Sequence, residues 1–186
     1  MKILYFDLET TGVKYWKHGI HQIGGIIEID GEVKESFNFF VQPHEKAIIE
    51  EEALAIAKVQ KEDIEKYPKQ YVIHRELKDI LGKYVDTYDK KDKFFLCGYN
   101  NAGFDNDFLR AFFVQCNDKY FGSWFWSSSL DVMVLASNYL KEKRSEMENF
   151  KLHTVAKELG IEVDEAKLHD AKYDIELTRA IYKIVE

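Results

Sequence analysis

An α/β fold, a mixed sheet covered by helices, is what the sequence predicts, and three observations predict it. Strand-like apolar runs crowd the N-terminal quarter, the Asp30-Gly31 pair between two of them is the signature of a tight antiparallel hairpin, and beyond residue 94 a short apolar strand gives way to helical stripes.

Element by element, Ile3 to Glu9, Gln22 to Asp30 and Val33 to Gln42 read as strands, the last two joined at Asp30-Gly31 into a meander. Ala47 to Lys66 is acidic and irregularly helical, and Tyr71 to Val85 spaces Val72, Leu77, Ile80 and Leu81 as a helix does. The charged turn Asp89 to Lys93 leads into a strand from Phe94 to Tyr99. A helix from Asp105 to Gln115 follows, then the aromatic run Tyr120 to Trp126, whose alternating Trp124 and Trp126 suit a fifth strand and its core contacts. Further helices are expected over Leu130 to Leu140, Leu152 to Leu159 and Ala171 to Val185. There is no internal repeat, low-complexity tract or linker, and the only prolines are Pro43 and Pro68, so residues 1–186 read as a single domain.

Composition narrows the class. With 46% hydrophobic and 15% aromatic residues, disorder is excluded. No apolar run reaches the roughly 20 residues that a membrane span needs, and the N-terminus runs straight into a strand pattern rather than a leader. Cys97 and Cys116 stand apart with no CxxC spacing. The expectation is a soluble, cytoplasmic protein that makes no contact with membrane. A net charge of −7 argues against a protein that coats duplexes, but not against one that grips a strand end through bound cations.

The candidate chemistry lies in four carboxylates. In FDLETTG, Phe6 to Gly12, Asp7 and Glu9 share the face of Tyr5, while Leu4, Phe6 and Leu8 take the other. Taken alone, the two acids fit equally well a strand that has run past the sheet into solvent. Asp105, Phe108, Leu109 and Phe112 form one helical stripe headed by an acid, for which a helix N-cap is the competing account, and Asp107 falls off that stripe. Asp174, Leu177, Ile181 and Ile184 repeat the pattern. There a cap is a poor explanation, because Asp170 is better placed to be one, and an ionised acid on an inward row needs a partner. His169 should sit on the loop entering that last helix and be free to swing toward the same place. Clustered carboxylates repel unless cations lie between them, and oxygen-only ligation suits Mg²⁺ or Mn²⁺. Two such ions would make a phosphodiester-cleaving site, with His169 as general base. The remaining histidines show no spacing for zinc.

With these residues in place, the sequence resembles the DnaQ-like DEDDh 3'→5' exonucleases, such as the exonuclease domain of the DNA polymerase III epsilon subunit and RNase T. FDLETTG matches their first motif, Asn101-Ala102-Gly103-Phe104-Asp105 the second, and HDAKYD, His169 to Asp174, the third, in order and over Lys2 to Val185. The resemblance implies an RNase H-like five-stranded sheet and two Mg²⁺ or Mn²⁺ ions. Asp7 would bridge them, Glu9 and Asp174 would complete one and Asp105 would support the other, with His169 as base. It further implies that Leu8, Thr10, Thr11, Gly12, Ile20, Asn101 and Phe104 meet the terminal nucleotide. Leu130-Asp131 and Phe150-Lys151-Leu152 match segments before the third motif. Asp131 is placed near the site, although an ordinary cap accounts for it equally well.

The expected partners are 3' ends of single-stranded or frayed DNA, with RNA as the alternative. A catalytically silent nucleic-acid-binding module is the rival of another class. A polymerase or repair partner fits the family, but the chain ends just past the third motif's helix, where an epsilon-type tether would begin. Tyr15 and Trp16, just after the first motif, suit either base stacking or surface packing. Nothing indicates an oligomeric state.

Overall fold

The computed structural model describes residues 1–186. Five strands, β1 (Lys2–Thr10), β2 (Ile20–Ile29), β3 (Glu32–Phe40), β4 (Phe95–Gly98) and β5 (Leu130–Asp131), form one mixed sheet in the order β3-β2-β1-β4-β5. The β2–β3 hairpin closes through two residues, Asp30 and Gly31, both at positive φ, as a type I′ turn requires. β1 pairs antiparallel with β2 and parallel with β4, and β4 pairs parallel with β5, so β1 is the central strand.

Eight helices flank the sheet: α1 (Glu51–Ala57), α2 (Lys61–Ile64), α3 (Gln70–Leu81), α4 (Asp105–Gln115), α5 (Phe121–Trp124), α6 (Val132–Tyr139), α7 (Leu152–Glu158) and α8 (Ala171–Val185). The alternation along β1 sorts them. Leu4, Phe6 and Leu8 enter a core with Leu77 and Leu81 of α3 and Phe108 and Phe112 of α4. Ile3 and Tyr5 enter a second core with Val132 of α6, Val155 of α7 and Ile175 and Ile181 of α8. A strand buried on both faces explains why the sequence of β1 is apolar at nearly every position before Asp7.

The expected fifth strand is corrected. The run Tyr120 to Trp126 does not alternate. Phe121, Trp124 and Phe125 all enter the same core, a spacing that a helical turn satisfies and a strand cannot, and α5 forms there. The run meets the sheet edge only at its end, where Phe125 forms a single parallel bridge to Phe94, just before β4, and the Trp126 ring lies 6.0 Å from that of Phe95. The fifth strand is Leu130–Asp131, and the helix expected from Leu130 starts at Val132 instead. The acidic stretch after Ala47 resolves into α1 and α2. No helix is long and apolar enough to cross a membrane.

Candidate active site

The carboxyl end of β1 carries Asp7 and Glu9 on the side of the sheet that α8 covers. What lets α8 lie so close is Gly24, the cross-strand partner of Asp7. A Cβ there would stand 2.8 Å from Ile175 Cδ1 and 3.1 Å from the backbone of Ala171. The first turn of α8 thereby brings Asp174 to the strand. One carboxylate oxygen from each of Asp7, Glu9 and Asp174 lies within 4.8 Å of the other two.

Three acids so placed disfavour their own charge. Burial, followed by neighbouring carboxylates, pushes Glu9 up to about 8 and raises Asp7 well above the usual aspartate range. Asp174 rises to about 6, chiefly by burial. Its Oδ1 is buried without any hydrogen-bond partner. An orphaned oxygen among acids, with no cationic side chain paired to any of them, is what a divalent cation with oxygen ligands would satisfy, so the residues present fit such an ion.

Asp105 opens α4 and is buried, so the cap account of it fails; the capping residue is Phe104, which has no side-chain bond to give. Burial lifts the Asp105 carboxyl to about 7, with the N–H groups of Asp105 and Leu8 pulling the other way. It lies outside the close trio, yet it is the strongest neighbouring charge acting on Asp7. The loop that delivers it is held by Asp131. Asp131 Oδ1 accepts from the N–H of Asn100 at 3.1 Å and of Met133 at 3.0 Å, and Oδ2 accepts from Ala102 N–H at 3.2 Å. One carboxylate thus caps α6 and fixes the turn in which Asn100 sits at φ +62.

His169 lies on the loop before α8, at φ +68, exposed, and its main-chain N–H donates to Asp174 Oδ2. Its imidazole sits below the ordinary histidine range, first through partial burial and then through the charges of Lys58, His153 and Lys151. The adjacent Asp170 caps α8 as expected, accepting from Tyr173 N–H at 3.1 Å. Asp170 also adds to the negative field on Asp7, Glu9 and Asp174, and its Oδ2 meets Gln22 Nε2 at 3.5 Å.

The residues expected at a nucleotide divide. Leu8 and Ile20 are core side chains, only 5% and 4% exposed. Thr11 is fully buried and spent on the loop: its hydroxyl donates to Ile48 C=O at 2.7 Å and accepts from Gly19 N–H at 3.0 Å, and its N–H donates to Gly19 C=O. Thr10 bonds to Gly12 C=O, and a Cβ on Gly12 would strike the His18 ring at 2.7 Å. Asn101 is buried, with Nδ2 donating to Asn106 and Oδ1 unpartnered. Phe104 is half-buried and packs on Phe108.

Two residues do more than the sequence indicates. Asp131, expected near the site with an ordinary cap as the equal account, is the cap of α6; its further bonds to the N–H groups of Asn100 and Ala102 are what leave no mark in the sequence. His18 is a buried post whose Nδ1 accepts from Lys14 N–H at 2.9 Å and whose Nε2 lies 3.1 Å from Glu50.

Residues 4–182 match a family model described as Exonuclease, that of the RNase_T family. The PolC-type DNA polymerase III of Mycoplasmopsis pulmonis (strain UAB CTIP) is 25% identical over 177 residues, which is 95% of this chain and 11% of that protein. Exonuclease I of E. coli in complex with a dT13 oligonucleotide superposes with a TM-score of 0.78 at 20% identity, and its complex with a dA16 oligonucleotide with 0.77 at 22%. Each covers 99% of this chain and 40% of the other. The chain therefore spans well under half the length of the relatives it matches.

Proposed function

Since the chain belongs to the RNase_T exonuclease family, of the DnaQ-like type, we propose that it removes nucleoside 5'-monophosphates from the 3' end of single-stranded or frayed DNA. The observation that carries this reading is the convergence of Asp7, Glu9 and Asp174 from two distant segments around an unpartnered buried oxygen.

In this reading Asp7, Glu9 and Asp174 would hold a divalent cation, Mg²⁺ or Mn²⁺, and Asp105 with Asp7 would serve a second one. When bound, the ions supply a Lewis-acid clamp on the oxygens of the phosphodiester under attack. His169, on the loop that enters α8, is the residue proposed to accept the proton of the attacking water, and partial burial with the nearby charges of Lys58, His153 and Lys151 favours the neutral imidazole that this role needs. Asp131 holds the Asn100–Ala102 turn so that Asp105 faces β1. Thr11 and His18 hold the loop beyond Glu9, and the half-buried Phe104, immediately before Asp105, is the residue proposed to meet the terminal nucleotide. DNA is the substrate proposed first because the similar structures hold DNA oligonucleotides and the similar curated protein is a DNA polymerase.

The test is a time course on 3'- and 5'-labelled single strands of DNA and RNA with Mg²⁺, Mn²⁺ or EDTA. Stepwise shortening of DNA from the 3' end, abolished by EDTA, is expected. Faster shortening of RNA would move the substrate to RNA. Cutting within a circular strand, or no cutting, would overturn the reading.

A further inference from the structure

We infer that Trp16, with the cleft between its loop and α4, is a stacking subsite for an unpaired nucleobase of the substrate strand, upstream of the terminal nucleotide. The inference rests on the exonuclease reading and extends it to residues outside the acid cluster.

Trp16 is 66% exposed, an unusual placement for the largest apolar side chain. Its loop is nevertheless fixed. Lys17 N–H and His18 N–H both donate to Lys14 C=O, at 2.8 and 2.9 Å, while the buried His18 ring ties back to Lys14 and Glu50. Tyr15 backs the indole edge-on, with ring centroids 5.0 Å apart, so an aromatic plane is displayed without the entropy cost of a loose loop.

The display adjoins the candidate active site. The loop begins at Thr11, two residues after Glu9, and on its other side Tyr15 meets Phe108 at 6.5 Å, which meets Phe104 at 4.9 Å, immediately before Asp105. Trp16, Tyr15, Arg110, Ala111 and Val114 line a cavity of about 280 Å³. Its chemistry suits a nucleic acid strand. On a chain of net charge −7, Lys14 and Lys17 flank Trp16 on its loop, exposed and with no carboxylate paired to either, while the cavity rim itself carries Arg110, whose guanidinium lies over the Phe121 ring at 4.4 Å, and one acid, Asp107. Aromatic faces for bases beside cations for phosphates is the arrangement by which unpaired strands are held.

The test measures strand binding by fluorescence anisotropy in EDTA, using 5'-labelled oligothymidylates of two and of eight nucleotides and full-length protein carrying Asp7→Asn. Adding Trp16→Ala should weaken the octamer about 5- to 150-fold and the dinucleotide far less, with Trp16→Phe keeping most of the affinity. Octamers with one abasic position should show a site at which the Trp16 protein loses affinity and the Trp16→Ala protein loses nothing further. Equal affinity of the Trp16 and Trp16→Ala proteins for the octamer, or a loss independent of length and abasic position, would overturn the subsite. Absence of cleavage by the unsubstituted protein would instead overturn the exonuclease reading, and the binding comparison would still decide the role of Trp16.

Discussion

The main-chain N–H of His169 donates to Oδ2 of Asp174 at 3.2 Å, so the proposed base is tied by its backbone, not its ring, to a proposed metal ligand. His169→Ala keeps that N–H and removes only the imidazole. The expected result is a kcat roughly 10²- to 10⁴-fold lower with the Mn²⁺ affinity nearly unchanged. Calorimetric titration with Mn²⁺ beside the cleavage rate checks both halves, and a rate near wild type would remove His169 from the mechanism.

The acid trio should act on stability in the opposite sense from its action on catalysis. Asp7, Glu9 and Asp174 crowd within 4.8 Å with no cationic side chain among them, so above the ordinary carboxylate pKa the metal-free fold bears the cost of their repulsion or of the protons taken up to relieve it. Asp7→Asn removes the titrating carboxyl, and with it that cost, and adds donors. Its Tm in EDTA is expected to rise by a few degrees, on the order of 1 kcal/mol, while cleavage falls below detection. Mg²⁺ or Mn²⁺ should raise the wild-type Tm in a concentration-dependent way and leave Asp7→Asn nearly unmoved. A wild-type Tm indifferent to both ions would argue against a cation site there.

Asp131 is expected to matter to rate as well as to folding. Asp131→Ala strips acceptors from three main-chain N–H groups and uncaps α6, a loss of about 1–2 kcal/mol. Asp131→Asn keeps one acceptor oxygen, sufficient for the Asn100 and Met133 bonds that share Oδ1, and should recover part of both stability and kcat. Thermal melts and kcat on the same preparations test this. If the alanine variant lost stability but kept full kcat at low temperature, the turn would not govern where Asp105 points.

How much was legible follows from what each feature writes into the sequence. Asp7 and Glu9 could be assigned a face because a strand alternates and Leu4, Phe6 and Leu8 fix the phase. Asp105 and Asp174 could be singled out because each interrupts the head of an apolar helical stripe. Ile184, at the end of the Asp174 stripe, lies 39% exposed beside Tyr139, Leu140 and Leu159, and it is Val185 that packs against the core in the last turn. The run Tyr120 to Trp126 misled because aromatic residues favour strands on average, whereas here the spacing of Phe121, Trp124 and Phe125 decided in favour of a helical turn. The close approach of α8 at Gly24 was not legible at all, because a missing side chain signals nothing until the opposing helix is in place.

Acid stability should depend on Glu28, far along β2 from the acid trio. Its carboxylate is buried yet meets Arg179 Nη2 at 2.7 Å and Lys183 Nζ at 2.8 Å, with the Tyr5 hydroxyl at 3.4 Å, clamping α8 to the sheet. Burial alone would raise its pKa, but the hydrogen bonds from Lys183 and Arg179 outweigh that and hold it below the usual glutamate range. A carboxyl depressed in the folded state binds fewer protons there than in the unfolded chain. Its stabilisation is therefore complete above the ordinary glutamate pKa and drains away as pH falls through the depressed one. Glu28→Gln should cost roughly 1.5–3 kcal/mol at pH 7, the lower end being favoured because both cations are about one-third exposed and can turn to water. As pH falls through the depressed pKa of Glu28 the variant and wild type should converge. Urea melts from pH 7 down to pH 3 read this directly, and a stability gap that stays constant over that range would show that Glu28 contributes by packing rather than by charge.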